Sequence, residues 1–185
     1  MEGSAVHGIV FSELQKFVVS KHAHSGWKAV TEKAGLAHKV YLAAGQYPDS
    51  EIVSLVTAAS AITGQEPFKI VEAFGEFILP SLLKMYSHLL KPSWRSLDVI
   101  EHTEGTVHTV VRTSDKDARP PRLRTRRTGP DTVVLVYDSP RKMCALAIGI
   151  GKGLARHFKE TLSIDQTQCM HKGGKFCEIV YRKTG

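Results

Sequence analysis

The stretch Tyr137-Asp138-Ser139-Pro140-Arg141 decides how this 185-residue chain is interpreted. It places two hydroxyl groups and a guanidinium within five residues. Such groups can hold the two propionate carboxylates of a buried porphyrin through charge-assisted, partly bidentate hydrogen bonds. However, Tyr, Ser and Arg close together at the end of a strand are more often ordinary surface residues. By itself, the motif is a hypothesis for a haem site that the rest of the sequence has to support.

Further motifs precede this stretch in a fixed order. The Pro120-Pro121 pair begins seventeen residues before Tyr137, and His108 lies twelve residues before Pro120. Earlier motifs are Val6-His7-Gly8-Ile9-Val10-Phe11, Tyr47-Pro48-Asp49, Leu55-Val56 with Ala58-Ala59-Ser60, Phe74-Gly75, and His108-Thr109 with Val111. In this combination the chain resembles the H-NOX family, the haem nitric oxide/oxygen binding domains of bacterial gas sensors and of soluble guanylate cyclase. The resemblance covers nearly all of the chain.

Composition and length favour one globular unit spanning residues 1–185. Hydrophobic residues make up 42% of the chain and charged residues 23%, which is ordinary for a globular domain. A chain of 185 residues is long enough for one sizeable core but not for two ordinary domains. There is no apolar run of about 18 residues, and Met1-Glu2-Gly3 does not begin a signal peptide. Three cysteines, an odd number, argue against a secreted disulfide scaffold. We therefore expect a cytoplasmic protein with no membrane association.

The net charge of +7 raises the question of nucleic-acid binding. Much of the excess comes from five arginines between residues 119 and 127: Arg119, Arg122, Arg124, Arg126 and Arg127. In a strand, alternate arginines share one face, and a solvated face or one that meets an acidic partner explains them without a nucleic acid. Binding to nucleic acid is therefore not expected.

The hydrophobic spacing changes from helical to alternating after about residue 112. Helices are predicted over Gly8–Ser20, Gly26–Lys33, Asp49 to Gly64, Pro67 to Phe77, Pro80–Leu90, Trp94–Val111 and Lys142–Lys159. Strands are predicted over Arg122–Arg127, Thr132–Tyr137, Leu162–Cys169 and Lys175–Arg182. We predict an α+β fold like that of H-NOX proteins. It has a helical lobe over about residues 1–90, and a lobe over about 91–185 with a four-stranded antiparallel sheet and helices.

The resemblance implies a haem b cofactor whose iron is held by a histidine. His108 is the first candidate, because it lies on the helix before the sheet and its distance from Pro120 matches the family spacing. His102 is the alternative. The family usually has Leu-Asp two or three residues before its histidine, whereas Leu97-Asp98 lies ten or eleven residues before His108. Either a helical insertion separates them or His102 binds the iron.

The resemblance also assigns the walls of the haem pocket. Pro120 or Pro121 is expected to press on the porphyrin and distort it, and Tyr137, Ser139 and Arg141 to bind its propionates. An apolar distal wall is expected from Val6, Ile9, Val10, Phe74, Phe77 and Ile78. Oxygen-binding relatives carry a tyrosine where this chain has Leu146. A haem without that donor binds NO and CO but stabilises no O₂ complex. Because no distal acid–base pair can be placed, we expect a sensor and not an enzyme.

The three cysteines predict a second metal site. Cys144, Cys169 and Cys177 are spaced by 25 and 8 residues, similar to a zinc-containing subgroup of H-NOX proteins. The histidine of that subgroup is Gln166 here. His171 can complete a Cys₃His set, and His157 is a weaker candidate. Alternatively, Cys144 is a buried core thiol and the other two cysteines form a free or oxidisable pair.

Two functional hypotheses follow. The first is a haem-based sensor of NO that signals to a partner protein, for which the family implies a histidine kinase or a cyclic-dinucleotide enzyme. The second is a haem-free module that senses thiol redox state or a small molecule. It rests on the pattern Cys169 to Cys177 with Gly173-Gly174 between, which is similar to vinyl-reductase-like domains.

Overall fold

Helices make up the N-terminal part of the chain, as the hydrophobic spacing predicts. The computed structural model describes residues 5–115 and 118–184. Strand β1 (Ala5–His7) leads into α1 (Gly8–Lys33), and β2 (Gln46–Pro48) leads into α2 (Asp49–Thr63). The two strands pair antiparallel, Val6 opposite Tyr47. This small sheet was not predicted, because three-residue strands are too short to show alternation.

Helix α1 is interrupted where the sequence predicted a boundary between two helices. Ala23 has φ 56° and ψ −173°, so the regular backbone breaks there before resuming toward Lys33. Helix α2 ends as predicted at Gly64, which takes the left-handed conformation at φ 70°. The sequence also suggests Asp49 as the N-cap of this helix, but Asp49 is its first helical residue and Pro48 occupies the capping position.

Pro80 does not separate two helices, contrary to the prediction. Helix α3 runs from Pro67 to Met85 with Pro80 inside it, and a short 3₁₀ turn at Ser87–Leu89 follows. A proline removes one helical hydrogen bond. The buried face continues on the N-terminal side through Phe74, Ile78 and Leu79, and this packing keeps the segment helical.

The predicted segment Trp94–Val111 is helical, but its winding changes in the middle. Helix α4 (Ser96–His102) is followed by a π-helical turn (Glu104–His108) and then by α5 (Thr109–Ser114). The His108 amide donates to the Thr103 carbonyl at 3.0 Å, five residues back. The chain between Leu97 and His108 is therefore almost continuously helical, and it is longer than the family's usual spacing between Leu-Asp and the histidine.

The C-terminal lobe contains the predicted four-stranded antiparallel sheet. The strands are β3 (Arg122–Gly129), β4 (Thr132–Asp138), β5 (Leu162–Gln168) and β6 (Cys177–Lys183), in the order β3-β4-β6-β5. Helix α6 (Cys144–Phe158) connects β4 to β5. On the edge strand β3, Arg122, Arg124 and Arg126 are exposed and Leu123 is buried, as alternation predicts.

Two large apolar clusters and a small one (Val56, Val71 and Ala145) form the core of the described residues, and helices α3 and α6 pack against each other. The first cluster lies within the helical lobe and includes Phe11, Leu55 and Ile78. The second lies between α6 and the sheet and includes Leu135, Ile179 and Tyr181, together with Leu79 of α3. Among the described residues, none of the helices combines the length and apolar content needed to cross a membrane.

Candidate ligand cavity and thiol cluster

An elongated apolar cavity of about 270 Å³ lies where the two lobes meet. Helical-lobe residues form one side, and the His108 segment, the sheet and α6 form the others. Its lining includes Val6, His7, Val10, Ile52, Leu82, His108, Pro120, Pro121, Tyr137, Arg141, Met143, Leu146, Ile150 and Tyr181. A space with few polar groups and one or two placed nitrogens suits a large apolar ligand with a coordinating centre.

His108 reaches this cavity from the π-helical turn. Its Nδ1 lies 2.9 Å from Oε2 of Glu104, so Nε2 is the ring nitrogen that Glu104 does not engage. Burial lowers the pKa of His108, and the hydrogen bonds to Glu104 and to the Pro121 carbonyl oppose this shift without reversing it. The imidazole is therefore neutral at pH 7, the state in which histidine binds metals.

Glu104 is held by three donors. In addition to His108, it accepts hydrogen bonds from Arg112 Nη2 at 2.6 Å and from the Leu123 amide at 3.2 Å. Burial alone would raise the pKa of Glu104, but these hydrogen bonds outweigh burial and hold its pKa below the ordinary value. A carboxylate is thus fixed behind the His108 ring at neutral pH.

His102, the alternative iron ligand, lies outside the cavity. His102 is exposed to solvent, and its ring stacks on Trp94 with 4.8 Å between the ring centroids. Residues 102 and 108 are separated by the π-helical turn, so the two rings point to different surroundings. The structure brings only His108 of these two to the cavity.

The Tyr-x-Ser-x-Arg motif divides into two residues that line the cavity and one that supports them. Tyr137 is buried and its hydroxyl accepts the Met143 amide at 3.2 Å, while burial raises its pKa. Arg141 donates to the carbonyls of Ala5 and Arg119 at the cavity edge. Ser139 is buried below this turn, where its Oγ accepts the Arg141 amide at 3.4 Å. It does not line the cavity.

The predicted distal wall is only partly the observed one. Pro120, Pro121 and Leu146 line the cavity, as do Val6 and Val10, whereas Ile9, Phe74, Phe77 and Ile78 do not. The two phenylalanines pack inside the helical lobe, where both rings contact Phe17 with centroids 5.8 and 5.4 Å away. Their places in the wall are taken by Ile52, Leu82, Met143 and Ile150. Residue type alone could not tell these apolar side chains apart.

His7 is a second histidine of the cavity lining that the sequence analysis did not single out. Its Nδ1 accepts the Ile9 amide at 3.3 Å, which makes His7 the N-cap of α1. The position just before Gly8, at the start of an amphipathic helix, is the signal that would have identified this capping role.

Comparison with known proteins agrees with this geometry. A family model described as haem-NO-binding matches residues 7–166, which include most of the cavity lining, His108 and the whole Tyr-x-Ser-x-Arg motif. The chain belongs to the H-NOX family. None of the curated proteins matches the sequence.

Solved H-NOX structures resemble the chain over almost its whole length. An H-NOX protein from S. oneidensis in the Fe(II)NO ligation state gives a TM-score of 0.90 at 25% identity, covering 97% of this chain and 100% of the relative. The NMR structure of an H-NOX domain from Shewanella oneidensis in the Fe(II)CO state gives 0.85 at 25% identity, covering 97% and 99%. The unliganded Fe(II) protein from K. algicida gives 0.86 at 21% identity, covering 97% of both chains, and supports the fold alone.

The three cysteines of this H-NOX chain form a cluster within the second core, and Cys177 pairs with the cavity-lining Tyr137 across β4 and β6. Cys144 comes from the start of α6, Cys169 follows β5, and Cys177 begins β6. Their sulfurs all lie within 4.8 Å of one another, and all three residues are buried and unbridged. Three thiols at this spacing are a ligand set for a soft or borderline metal such as zinc.

His171 does not join the thiol cluster. Its Nε2 lies 2.6 Å from the Lys142 carbonyl, and among the described residues the metal-ligand group contains the three cysteines alone. Gln166, at the position of the subgroup's histidine, lies close enough to Cys144 to interact with its thiol. Burial raises the pKa of Cys144 and raises that of Cys177 to about 12, so without a metal both thiols keep their protons at pH 7.

Proposed function

We propose that this H-NOX chain is a haem-based gas sensor that binds NO, and also CO, at ferrous haem b in the cavity. The observation that carries the proposal is His108: a neutral imidazole in an apolar cavity, with Nδ1 engaged by Glu104 and Nε2 not engaged by it. Family membership and the NO and CO complexes of the S. oneidensis relatives support it.

The residues present suit a haem. A bound haem would supply a ferrous iron that can bind a diatomic gas. His108 would hold that iron from one side, and Arg141 and Tyr137 would bind the propionates at the edge where Arg141 now contacts two backbone carbonyls. Ser139 supports the Arg141 turn, and Pro120 and Pro121 would contact the porphyrin face, because both prolines line the cavity.

Selectivity for NO and CO over O₂ is attributed to the absence of a tyrosine hydroxyl donor at position 146. Leu146 lines the cavity where oxygen-binding relatives carry a tyrosine. Tyr181 also lines the cavity, but its hydroxyl donates to the Ala147 carbonyl at 2.9 Å. Bound O₂ needs a hydrogen bond that NO on ferrous haem does without. We infer reversible binding and not enzymatic turnover.

The experiment that tests the proposal replaces the candidate histidines one at a time. His108→Gly should give protein without haem that rebinds it when imidazole is added, because the small ring can occupy the vacated space. His102→Gly should keep the wild-type Soret band and NO response, since His102 stacks on Trp94 outside the cavity. The assignment is wrong if the His102 variant loses the Soret band and the His108 variant keeps it.

His7 provides a matched control, because it is the other histidine of the cavity. His7→Gln should retain haem with an unchanged axial ligand, since His7 caps α1 through Nδ1. Loss of haem in this variant together with full retention in His108→Gly would move the ligand assignment to His7.

We further propose that the thiol cluster binds zinc, as in the zinc-containing H-NOX subgroup. The mutual distances of at most 4.8 Å between the sulfurs support this. Three thiolates would supply three ligands. His171 can be the fourth only by leaving the Lys142 carbonyl.

Metal analysis of purified variants tests the zinc proposal. Cys177→Ser should lose stoichiometric zinc, whereas His171→Ala should retain it because His171 lies outside the cluster. Zinc absent from the wild type would instead favour three structural thiols.

A colourless preparation with stoichiometric zinc would support the haem-free, vinyl-reductase-like alternative. H-NOX membership and the His108 cavity favour the haem sensor over it. We propose a protein partner for signal output, such as a histidine kinase or a cyclic-dinucleotide enzyme. Co-purification of the sensor with each class, with and without NO, tests this.

A further inference from the structure

We propose that Glu104 is a positioning residue that sets how strongly His108 donates to the haem iron. The inference rests on the proposed function, because it takes His108 as the iron ligand. Glu104 lies in none of the motifs that identified the family. Glu104 begins the π-helical turn that His108 ends, and its carboxylate lies 2.9 Å from Nδ1 of His108.

The carboxylate is fixed from outside its own turn. Arg112 of α5 donates to Oε1 at 2.6 Å, and the backbone amide of Leu123, at the start of β3, donates to Oε2 at 3.2 Å. Oε2 therefore receives both the Leu123 amide and the His108 ring. A carboxylate held by a helix and a strand cannot rotate away, so the His108 ring is held in one orientation.

The π-helical turn makes this arrangement available. The His108 amide bonds to the Thr103 carbonyl at 3.0 Å, and the Thr109 hydroxyl bonds to the Glu104 carbonyl at 3.0 Å, both five residues back. π-helical turns are rare and are frequently found at functional sites. Here the turn lies between α4 and α5, where it orients His108 toward the cavity and Glu104 toward β3.

The chemical consequence follows from the proton on Nδ1. A ligand histidine that donates its second N–H to a carboxylate is a more basic, stronger donor than one that donates to a neutral group. Arg112 counteracts part of this effect, because it shares the negative charge of Glu104. Substitution of Glu104 should therefore weaken the donation from His108, and substitution of Arg112 should strengthen it. Simple loss of packing would not produce opposite effects.

The test uses Glu104→Gln and Arg112→Gln, with Glu101→Gln as the matched control. Glu101 lies one turn earlier and is similarly half-buried, but it pairs with Arg127 at 2.7 Å and not with His108. In ferrous, unliganded protein, resonance Raman spectroscopy should show a lower iron–histidine stretching frequency in Glu104→Gln and a higher one in Arg112→Gln. The frequency in Glu101→Gln should be unchanged.

Three further measurements test the same role of Glu104. The haem midpoint potential should become more positive in Glu104→Gln, because a weaker donor stabilises ferric iron less. Haem dissociation should be about 10–100-fold faster, the usual effect of removing an outer hydrogen bond to a metal ligand. In haem-free protein, ¹⁵N NMR of the His108 ring should show the Nδ1–H tautomer in the wild type and a mixture of tautomers in Glu104→Gln.

The outcomes separate this inference from the function on which it rests. If imidazole fails to restore haem to His108→Gly, the ligand assignment fails and the proposal about Glu104 fails with it. If His108 is confirmed as the ligand but the frequencies of Glu104→Gln and Arg112→Gln equal that of the wild type, the role of Glu104 is overturned and the gas sensor stands. Shifts of the same sign in both variants would also overturn it.

Discussion

Gly75 of α3 and Gly149 of α6 meet backbone to backbone, so that a Cβ added to Gly75 would lie 2.9 Å from the Gly149 Cα. A Cβ added to Gly149 would approach the Glu72 carbonyl oxygen even more closely. Glu72 also forms an ion pair with Lys152 at 2.7 Å, which joins α3 to α6 next to this contact. This contact holds the two lobes at the separation that defines the cavity.

Gly149→Ala should therefore destabilise the protein. The added methyl group meets backbone atoms that cannot move without separating α3 from α6, and overpacking of this kind costs about 1–3 kcal/mol. Urea unfolding measures the loss. Gly105→Ala is the control, because a Cβ there meets nothing within 4 Å, and it should not destabilise the fold. Equal stability of Gly149→Ala and the wild type would show that the crossing is loose.

Arg141→Ala should lower haem retention much more than Arg126→Ala. Arg141 lines the cavity, whereas Arg126 is exposed on the edge strand β3. A lost charge-assisted hydrogen bond is worth about 1.5–3 kcal/mol, or roughly ten-fold or more in haem dissociation rate. Haem transfer to an acceptor protein measures that rate. Tyr137→Phe and Ser139→Ala should each have smaller effects, and equal rates in all four variants would refute the propionate assignment.

Ferrous protein exposed to air should oxidise or stay unliganded, and Leu146→Tyr should prolong any oxygen complex. The substitution introduces a hydroxyl donor into the cavity at the position where oxygen-binding relatives have one. Absorption spectra recorded after anaerobic reduction and air exposure check both statements. A persistent oxygen complex in the wild type would contradict the prediction, and His7 would be the donor to test next.

The metal-free protein should lose stability in alkali because of its buried thiols. Burial raises the pKa of Cys177 to about 12 and also raises that of Cys144, above the value of about 8.5 for a free thiol. The folded state therefore holds these protons more tightly than the unfolded chain does. The stabilisation is complete below pH ~8.5 and is lost as the pH rises toward the folded pKa values.

Urea unfolding between pH 8 and pH 10.5 (roughly the window above the free-thiol value) measures this loss. Cys177→Ala should show a shallower decline than the wild type, since it lacks the thiol with the higher pKa. Identical slopes for the two proteins would exclude the thiols as the cause.

The sequence predicted the elements whose spacing is regular and long. Alternation along Arg122–Arg127 and Thr132–Tyr137 located β3 and β4 within two residues of their observed ends. The helix around Pro80 was mispredicted because tertiary packing on Ile78 and Leu79 overrides the lost hydrogen bond. The prediction failed where the decisive contact was non-local.

In the candidate site, too, motif residues were predicted well and residues placed by non-local packing were not. Residues that belong to the ordered motifs, such as Pro120, Pro121 and Leu146, line the cavity. Phe74 and Phe77 instead pack against Phe17, a choice between two apolar surroundings that hydrophobicity does not encode. Glu104 was missed because its function depends on a π-helical turn, and helical periodicity does not reveal one.

The cavity takes its walls from both ends of the chain: Val6 and Val10 lie on one side, and Tyr137, Leu146 and Ile150 lie on others. Arg141 bonds to the Ala5 carbonyl across 136 residues of sequence. During synthesis on the ribosome, the N-terminal wall therefore emerges long before the residues that complete the enclosure. Contacts of such sequence separation form late in folding. On the proposed function, a haem would meet its complete site only after β6 is translated, because Tyr181 of β6 also lines the cavity.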